Sequence, residues 1–172
     1  SDVQLMIYHT WWDGLTMSID LLKRLSDIES VRSLKWSSGD VGHYRKGLVE
    51  LSDKLVMIDN SGQQTTSHLL GARGFITHLS GFWPAYPLEI WQLLEKRDYA
   101  AVTARLIEFK YKWSEWVGKV IAFTGGEGPF IKAAMEEVGL TVGPPRLPSV
   151  RAPEHLLEEL RELLSSAGVP KV

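Results

Sequence analysis

Four short apolar runs dominate the first half of the chain, and helical patterns follow the first three. Val3 to Tyr8, Val31 to Trp36, Lys54 to Asp59 and Gly74 to Leu79 read as strands. Between them lie amphipathic stretches. Ser18 offers an N-cap, and Leu21, Leu22 and Leu25 recur behind it at helical spacing. Gly39-Asp40 introduces Val41, Tyr44, Leu48 and Leu51, and a short helix from Thr65 to Leu70 ends at Gly71. Alternation of this kind predicts βα units with a parallel sheet covered by helices.

The second half reads as helical throughout. Pro87 to Lys96 forms one helix and Tyr99 to Phe123 a long one, with Val102, Leu106, Phe109, Trp113, Trp116 and Val120 along a single face. A turn at Thr124-Gly125-Gly126-Glu127-Gly128-Pro129 leads into a helix over Phe130 to Val138. The turn is no P-loop, because it lacks a preceding strand and the Gly-Lys-Ser/Thr ending. Gly143-Pro144-Pro145-Arg146-Leu147-Pro148 is an extended connector, and Pro153 opens a last leucine-rich helix.

Composition narrows the function classes. A formal charge of −2 argues against binding nucleic acid by phosphate neutralisation. The absence of cysteine removes disulfides, thiolate metal sites and cysteine nucleophiles. No apolar run approaches the ~20 residues of a membrane helix, and no leader is visible, so the expected location is the cytoplasm. The apolar run begins almost at the first residue, which leads us to expect that a segment upstream is missing.

In parallel α/β sheets functional groups gather at the C-terminal strand ends. Those ends carry Tyr8 and His9, Lys35 and Trp36, Asp59, Asn60 and Ser61, then Thr77 and His78. Lys35 stands out. Burial disfavours an ammonium and frees a neutral amine to attack a carbonyl, and Tyr8 on the adjacent strand is placed to exchange protons with it. The plainer alternative is a strand-end lysine that reaches solvent or pairs with Asp59. The five histidines show no metal-ligand spacing; His9 and His78 are either pocket donors or satisfied strand-end groups.

Leu34-Lys35-Trp36-Ser37-Ser38-Gly39-Asp40 resembles the segment around the Schiff-base lysine of the dihydrodipicolinate synthase/N-acetylneuraminate lyase family. Met6-Ile7-Tyr8 resembles that family's tyrosine strand, and Leu70-Gly71-Ala72-Arg73-Gly74-Phe75-Ile76-Thr77 its leucine-glycine-alanine segment. The Gly128 to Ala134 run and the proline connector are similar to its C-terminal helical region. The resemblance implies the C-terminal half of a (β/α)8 TIM barrel, strands five to eight, with residues 1–83 as four βα units and 84–172 as the final barrel helix and helical extension. Half a barrel leaves raw sheet edges, so the N-terminal half is an expected partner and this chain alone is expected to be inactive. A homo-oligomer, a tetramer, is implied in the same way.

The resemblance also assigns roles. Lys35 is the amine that condenses with a 2-oxo acid such as pyruvate, Tyr8 the proton relay, and the Ile76 carbonyl a group facing the substrate. The lysine imine serves as electron sink, so no cofactor or metal is called for. Several positions depart from the family pattern. Tyr8 is followed by His9-Thr10-Trp11-Trp12, and Asp13-Gly14 stands near where the synthase branch has a basic residue. Trp36 follows the lysine, and Asp59 ends the third strand where glycine is common. These departures argue against dihydrodipicolinate synthesis itself. They point to a more aromatic pocket, shaped by Trp11, Trp12, Trp36 and His78, for a longer or partly apolar aldehyde portion; packing against helices or subunits is the other use of Trp11 and Trp12. The expected function is a Schiff-base lyase, aldolase, synthase or dehydratase. The alternative is a non-catalytic member, or an unrelated α/β domain, that binds a small regulatory ligand.

Overall fold

A computed structural model describes residues 2–172, and these form two compact units, one ending at Thr77 and the other running from His78 to Val172. The first unit follows the alternation of the sequence: β1 (Leu5–Tyr8), α1 (Ile19–Ser26), β2 (Val31–Trp36), α2 (Val41–Leu51), β3 (Val56–Asp59), α3 (Gln64–Leu69) and β4 (Gly74–Phe75). The sheet order is β1-β2-β3-β4 and every pairing is parallel.

Capping fixes where the helices begin. Ser18 Oγ accepts the Leu21 N–H at 3.2 Å, and Asp40 Oδ1 accepts the His43 N–H at 2.5 Å. Ion pairing ties α1 to α2 through Lys23 and Glu50. Leu22, Leu34, Trp36, Tyr44, Leu48, Leu51 and Met57 are fully buried and form the core between helices and sheet.

Register decides which residues share a face. Tyr8 pairs with Lys35, Lys35 with Ile58, and Ile58 with Gly74. Side chains alternate along a strand, so Met6, Tyr8, Ser33, Lys35, Val56 and Ile58 point one way, and Ile7, Leu34, Trp36, Met57 and Asp59 the other. The second set packs under the helices. Much of the first set is open, with Met6, Tyr8 and Val56 all exposed.

Two expectations for the strands change. β1 begins at Leu5, not at Val3, and as an edge strand it leaves Leu5 and Met6 about half exposed, with no strand paired outside it among the described residues. β4 is shorter than expected, and His78 opens a 3-10 turn, His78–Gly81, instead of ending a strand.

The second unit is helical: α4 (Ala85–Glu95), α5 (Tyr99–Arg105), α6 (Tyr111–Thr124), α7 (Gly128–Glu137) and α8 (Glu154–Ser166). The long helix of the sequence is present, but its middle, Leu106–Lys110, widens into a π-helix between α5 and α6. All six residues of the anticipated stripe, from Val102 to Val120, are buried. They help build an aromatic core in which Trp83 and Trp113 flank Phe109 at centroid distances of 5.1 and 6.1 Å. Tyr86 joins this core and donates its hydroxyl to the Arg105 carbonyl at 2.8 Å; burial pushes its phenol up to about 12. Among the described residues no helix is long and apolar enough to cross a membrane.

Candidate active site

The ends of β1 and β2 bring Lys35 and Tyr8 together. As register partners they project from the same sheet face, and Lys35 Nζ stands 3.6 Å from the centre of the Tyr8 ring. The contact is with the ring face, whose negative quadrupole attracts a cation. Lys35 is half-buried and Tyr8 is 48% exposed, so the pair lies on the open face and not in a sealed cavity.

A polar clamp holds these two strand ends in step. His9 Nδ1 lies 2.6 Å from the Ser37 carbonyl, and Ser37 Oγ donates back to the His9 carbonyl at 2.7 Å. His9 Nε2 accepts the Met17 N–H at 3.1 Å. An imidazole that accepts at Nε2 must donate at Nδ1, which fixes a neutral tautomer. His9 is fully buried, and both ring nitrogens serve the backbone. The expectation of a substrate-binding His9 is therefore corrected: it braces the strand that carries Tyr8.

Trp36 and Asp59 are corrected on the same ground. They are register partners on the helix side of the sheet, opposite to Lys35. Trp36 is fully buried and its Nε1 donates to the Tyr44 carbonyl at 2.8 Å. Asp59 is buried as well; its Oδ1 accepts the Tyr44 hydroxyl at 2.5 Å and the Ser61 N–H at 2.7 Å. Burial, and then the Asp59 carboxylate, push the Tyr44 phenol well above the ordinary tyrosine range. Ser67 Oγ stands 2.8 Å from the same hydroxyl, and Ser61 Oγ accepts the Ser38 N–H at 3.3 Å. This network joins α2 and α3 to the ends of β2 and β3 from behind the sheet.

Ile76 continues the ladder beyond β4 by donating its N–H to the Asp59 carbonyl at 2.8 Å, and its side chain is exposed. His78 belongs to the second unit, where Nε2 is 3.5 Å from the Glu127 carboxylate and the ring meets the edge of Phe130 at 5.1 Å. Among the described residues no group of three or more His, Asp or Glu side chains is arranged to hold a metal.

Trp11 and Trp12 form a short 3-10 turn, Trp11–Asp13, just past β1. They remain 43% and 49% exposed. Trp12 meets Tyr8 edge-on at 6.3 Å and Trp11 at 5.9 Å. Ser33 and Ile58 also share the face of Lys35, and strand parity is the sequence signal that points to them.

Comparison with known proteins agrees with this architecture. The model of the dihydrodipicolinate synthetase family matches residues 1–167. A 4-hydroxy-tetrahydrodipicolinate synthase of Exiguobacterium sibiricum is 31% identical over 97% of this chain and 57% of its own length. One from Methanospirillum hungatei is 29% identical over 95% of this chain and 55% of its own. The chain thus spans about half the length of the curated relatives it matches. Among solved structures, a putative dihydrodipicolinate synthetase from Pseudomonas aeruginosa superposes with a TM-score of 0.82 at 22% identity, covering 95% of this chain and 56% of that one. The dihydrodipicolinate synthase of Oceanobacillus iheyensis gives 0.81, also at 22% identity, over 97% and 55%. The fold is part of a TIM barrel, four parallel βα units followed in sequence by a helical part, and the chain belongs to the dihydrodipicolinate synthetase family.

Proposed function

We propose that this chain supplies the imine-forming half of a class I aldolase-type lyase or synthase acting on a 2-oxo acid such as pyruvate. The observation that carries the reading is the register pair: one amine and one phenol ring, 3.6 Å apart, on the face turned away from the helices. Lys35 attacks the keto carbon with its neutral amine, and water leaves as the C=N bond forms. The protonated imine withdraws electrons, so the neighbouring carbon loses a proton to give an enamine. That carbon then bonds to an aldehyde, whose oxygen takes up a proton; hydrolysis consumes one water and returns the lysine. Cleavage runs the same steps backward, and dehydration uses the same imine. Tyr8 is the proton relay and the Ile76 carbonyl faces the substrate. The lysine itself provides the electron sink, so the reading calls for neither a metal nor an organic cofactor.

Residues 1–83 stand in this reading for barrel strands five to eight with their helices, and residues 84–172 for the final barrel helix and the C-terminal extension. The exposed apolar groups on the Lys35 face, Met6 and Val56, are what the other four strands would cover. The partner is therefore the N-terminal half of the barrel, in the same polypeptide or separate, within a homo-oligomer, a tetramer by family resemblance. The curated relatives are named for 4-hydroxy-tetrahydrodipicolinate synthesis. Our reading leaves that product aside, because Asp13-Gly14 stands near the position where the synthase branch has a basic residue.

Borohydride trapping tests the proposal. The completed protein is incubated with pyruvate, reduced and digested. A reduced pyruvate adduct on the Lys35 peptide is expected. Absence of an adduct with pyruvate and with other 2-oxo acids would favour a non-catalytic ligand-binding role.

A further inference from the structure

The imine chemistry leaves the aldehyde unspecified, and the structure beside the imine is informative. From Lys35 Nζ the contacts run to the Tyr8 ring, from Tyr8 to the indole of Trp12 at 6.3 Å, and from Trp12 to Trp11 at 5.9 Å. Both indoles sit at the C-terminal end of β1, on the turn that follows Tyr8. Neither is used up in the core, since 43% and 49% of their surface stays accessible.

Trp11 has a seat made for it. A Cβ on Gly39 would stand 3.0 Å from its Cε3 and 3.2 Å from its Cζ3, so the glycine lets the indole lie close against the loop after β2. Charge supports the same assignment. Residues 9–17 carry one acid, Asp13, and no lysine or arginine; their only histidine, His9, is neutral and committed to backbone groups. An aldehyde bearing a carboxylate would find no cation on this segment. A planar uncharged ring would find two exposed indoles.

We infer that Trp11 and Trp12 form the aldehyde subsite and select an uncharged aromatic aldehyde as the partner of the 2-oxo acid. The inference rests on the imine-forming reading of Lys35. Pyruvate and an aryl aldehyde combine, atom for atom, to a 4-aryl-4-hydroxy-2-oxobutanoate: the pyruvate methyl carbon bonds to the aldehyde carbon, and the proton lost from that methyl is matched by the one gained at the new hydroxyl. Trp12 stacks the ring nearest the new bond, and Trp11 extends the wall outward.

The test compares two probe aldehydes, benzaldehyde and succinic semialdehyde, with pyruvate and the completed protein. Benzaldehyde is expected to condense with a kcat/KM at least about tenfold higher, the scale of one well-made apolar contact. Trp12→Ala should lower the benzaldehyde value by about tenfold and the succinic semialdehyde value by less, whereas Trp12→Phe should keep most of it. Gly39→Ala, which crowds the Trp11 ring without altering either indole, should shift the ratio in the same direction. A preference for succinic semialdehyde, or equal losses on both aldehydes in Trp12→Ala and Gly39→Ala, would overturn the aromatic subsite. The wild-type ratio stands even where a variant does not fold. A pyruvate adduct on Lys35 separates the two levels: with the adduct present, such results overturn the subsite alone, and without it the imine reading and the subsite fall together.

Discussion

The indole of Trp36 occupies the space that a side chain on Gly47 would need. A Cβ there would come within 2.7 Å of two ring carbons and 2.8 Å of Nε1. Gly47 lies inside α2, where glycine costs about 0.5–1 kcal/mol relative to alanine. Close approach of helix to strand offsets that cost, because it seats the ring whose Nε1 binds the Tyr44 carbonyl. Gly47→Ala should therefore destabilise the protein by about 1–3 kcal/mol, the usual scale of overpacking. Denaturant midpoints measure this, and Trp36→Phe in the same background should recover part of the loss.

Tyr44 couples stability to alkaline pH. Its phenol pKa is raised in the folded state, chiefly by burial and then by Asp59. A raised group contributes stability that is complete below its unfolded value, about 10 for tyrosine, and is lost as pH rises above it. Unfolding should therefore become easier above that pH. Tyr44→Phe should abolish this part of the alkaline dependence. It should also cost about 1.5–3 kcal/mol at neutral pH, because Asp59 loses its hydroxyl donor.

The Lys23–Glu50 pair between α1 and α2 should act at the acid end. Its hydrogen bond to Lys23 lowers the Glu50 pKa, with burial opposing. A depressed carboxylate stabilises above its unfolded pKa of about 4.3 and loses that contribution as pH falls through the folded value. The melting temperature of wild type should therefore drop more between neutral pH and acid than that of Glu50→Gln. Both groups reach solvent, so high salt should shrink the difference.

For the chemistry, Lys35→Ala should eliminate the borohydride adduct while the far-UV and near-UV circular dichroism stay native. Tyr8→Phe should keep adduct formation but slow turnover by about 10²–10⁴-fold, the range of a lost proton-transfer group. The isolated chain should show no turnover until the complementary strands are supplied, a result read from activity before and after mixing. Turnover by the isolated chain would contradict the half-barrel reading.

The fold was legible in the sequence because its elements are short, regular and strictly ordered. β2 was anticipated at its observed limits, and Ser18 and Asp40 cap the helices they introduce. The face of each strand residue was harder to read. Proximity in sequence to Lys35 made Trp36 look like a neighbour in the site, yet successive strand residues face opposite ways. Asp59 faces away from the amine for the same reason, since it is the register partner of Trp36 and not of Lys35. His9 shows a different gap. Nothing local reveals that its two nitrogens meet Ser37 and Met17, because both contacts depend on how the loop after β1 folds back. The Tyr44–Asp59 bond likewise joins residues from separate elements and leaves no mark in the sequence.

The pairing of Tyr8 with Lys35 also sets where this chain tolerates insertions and deletions. A one-residue slip of β2 against β1 would turn Leu34 or Trp36 toward the side where the amine now stands and drive Lys35 into the oily layer beneath α2. Changes of length between these strands must therefore be absorbed in the turns around α1, with the ladder itself left in phase.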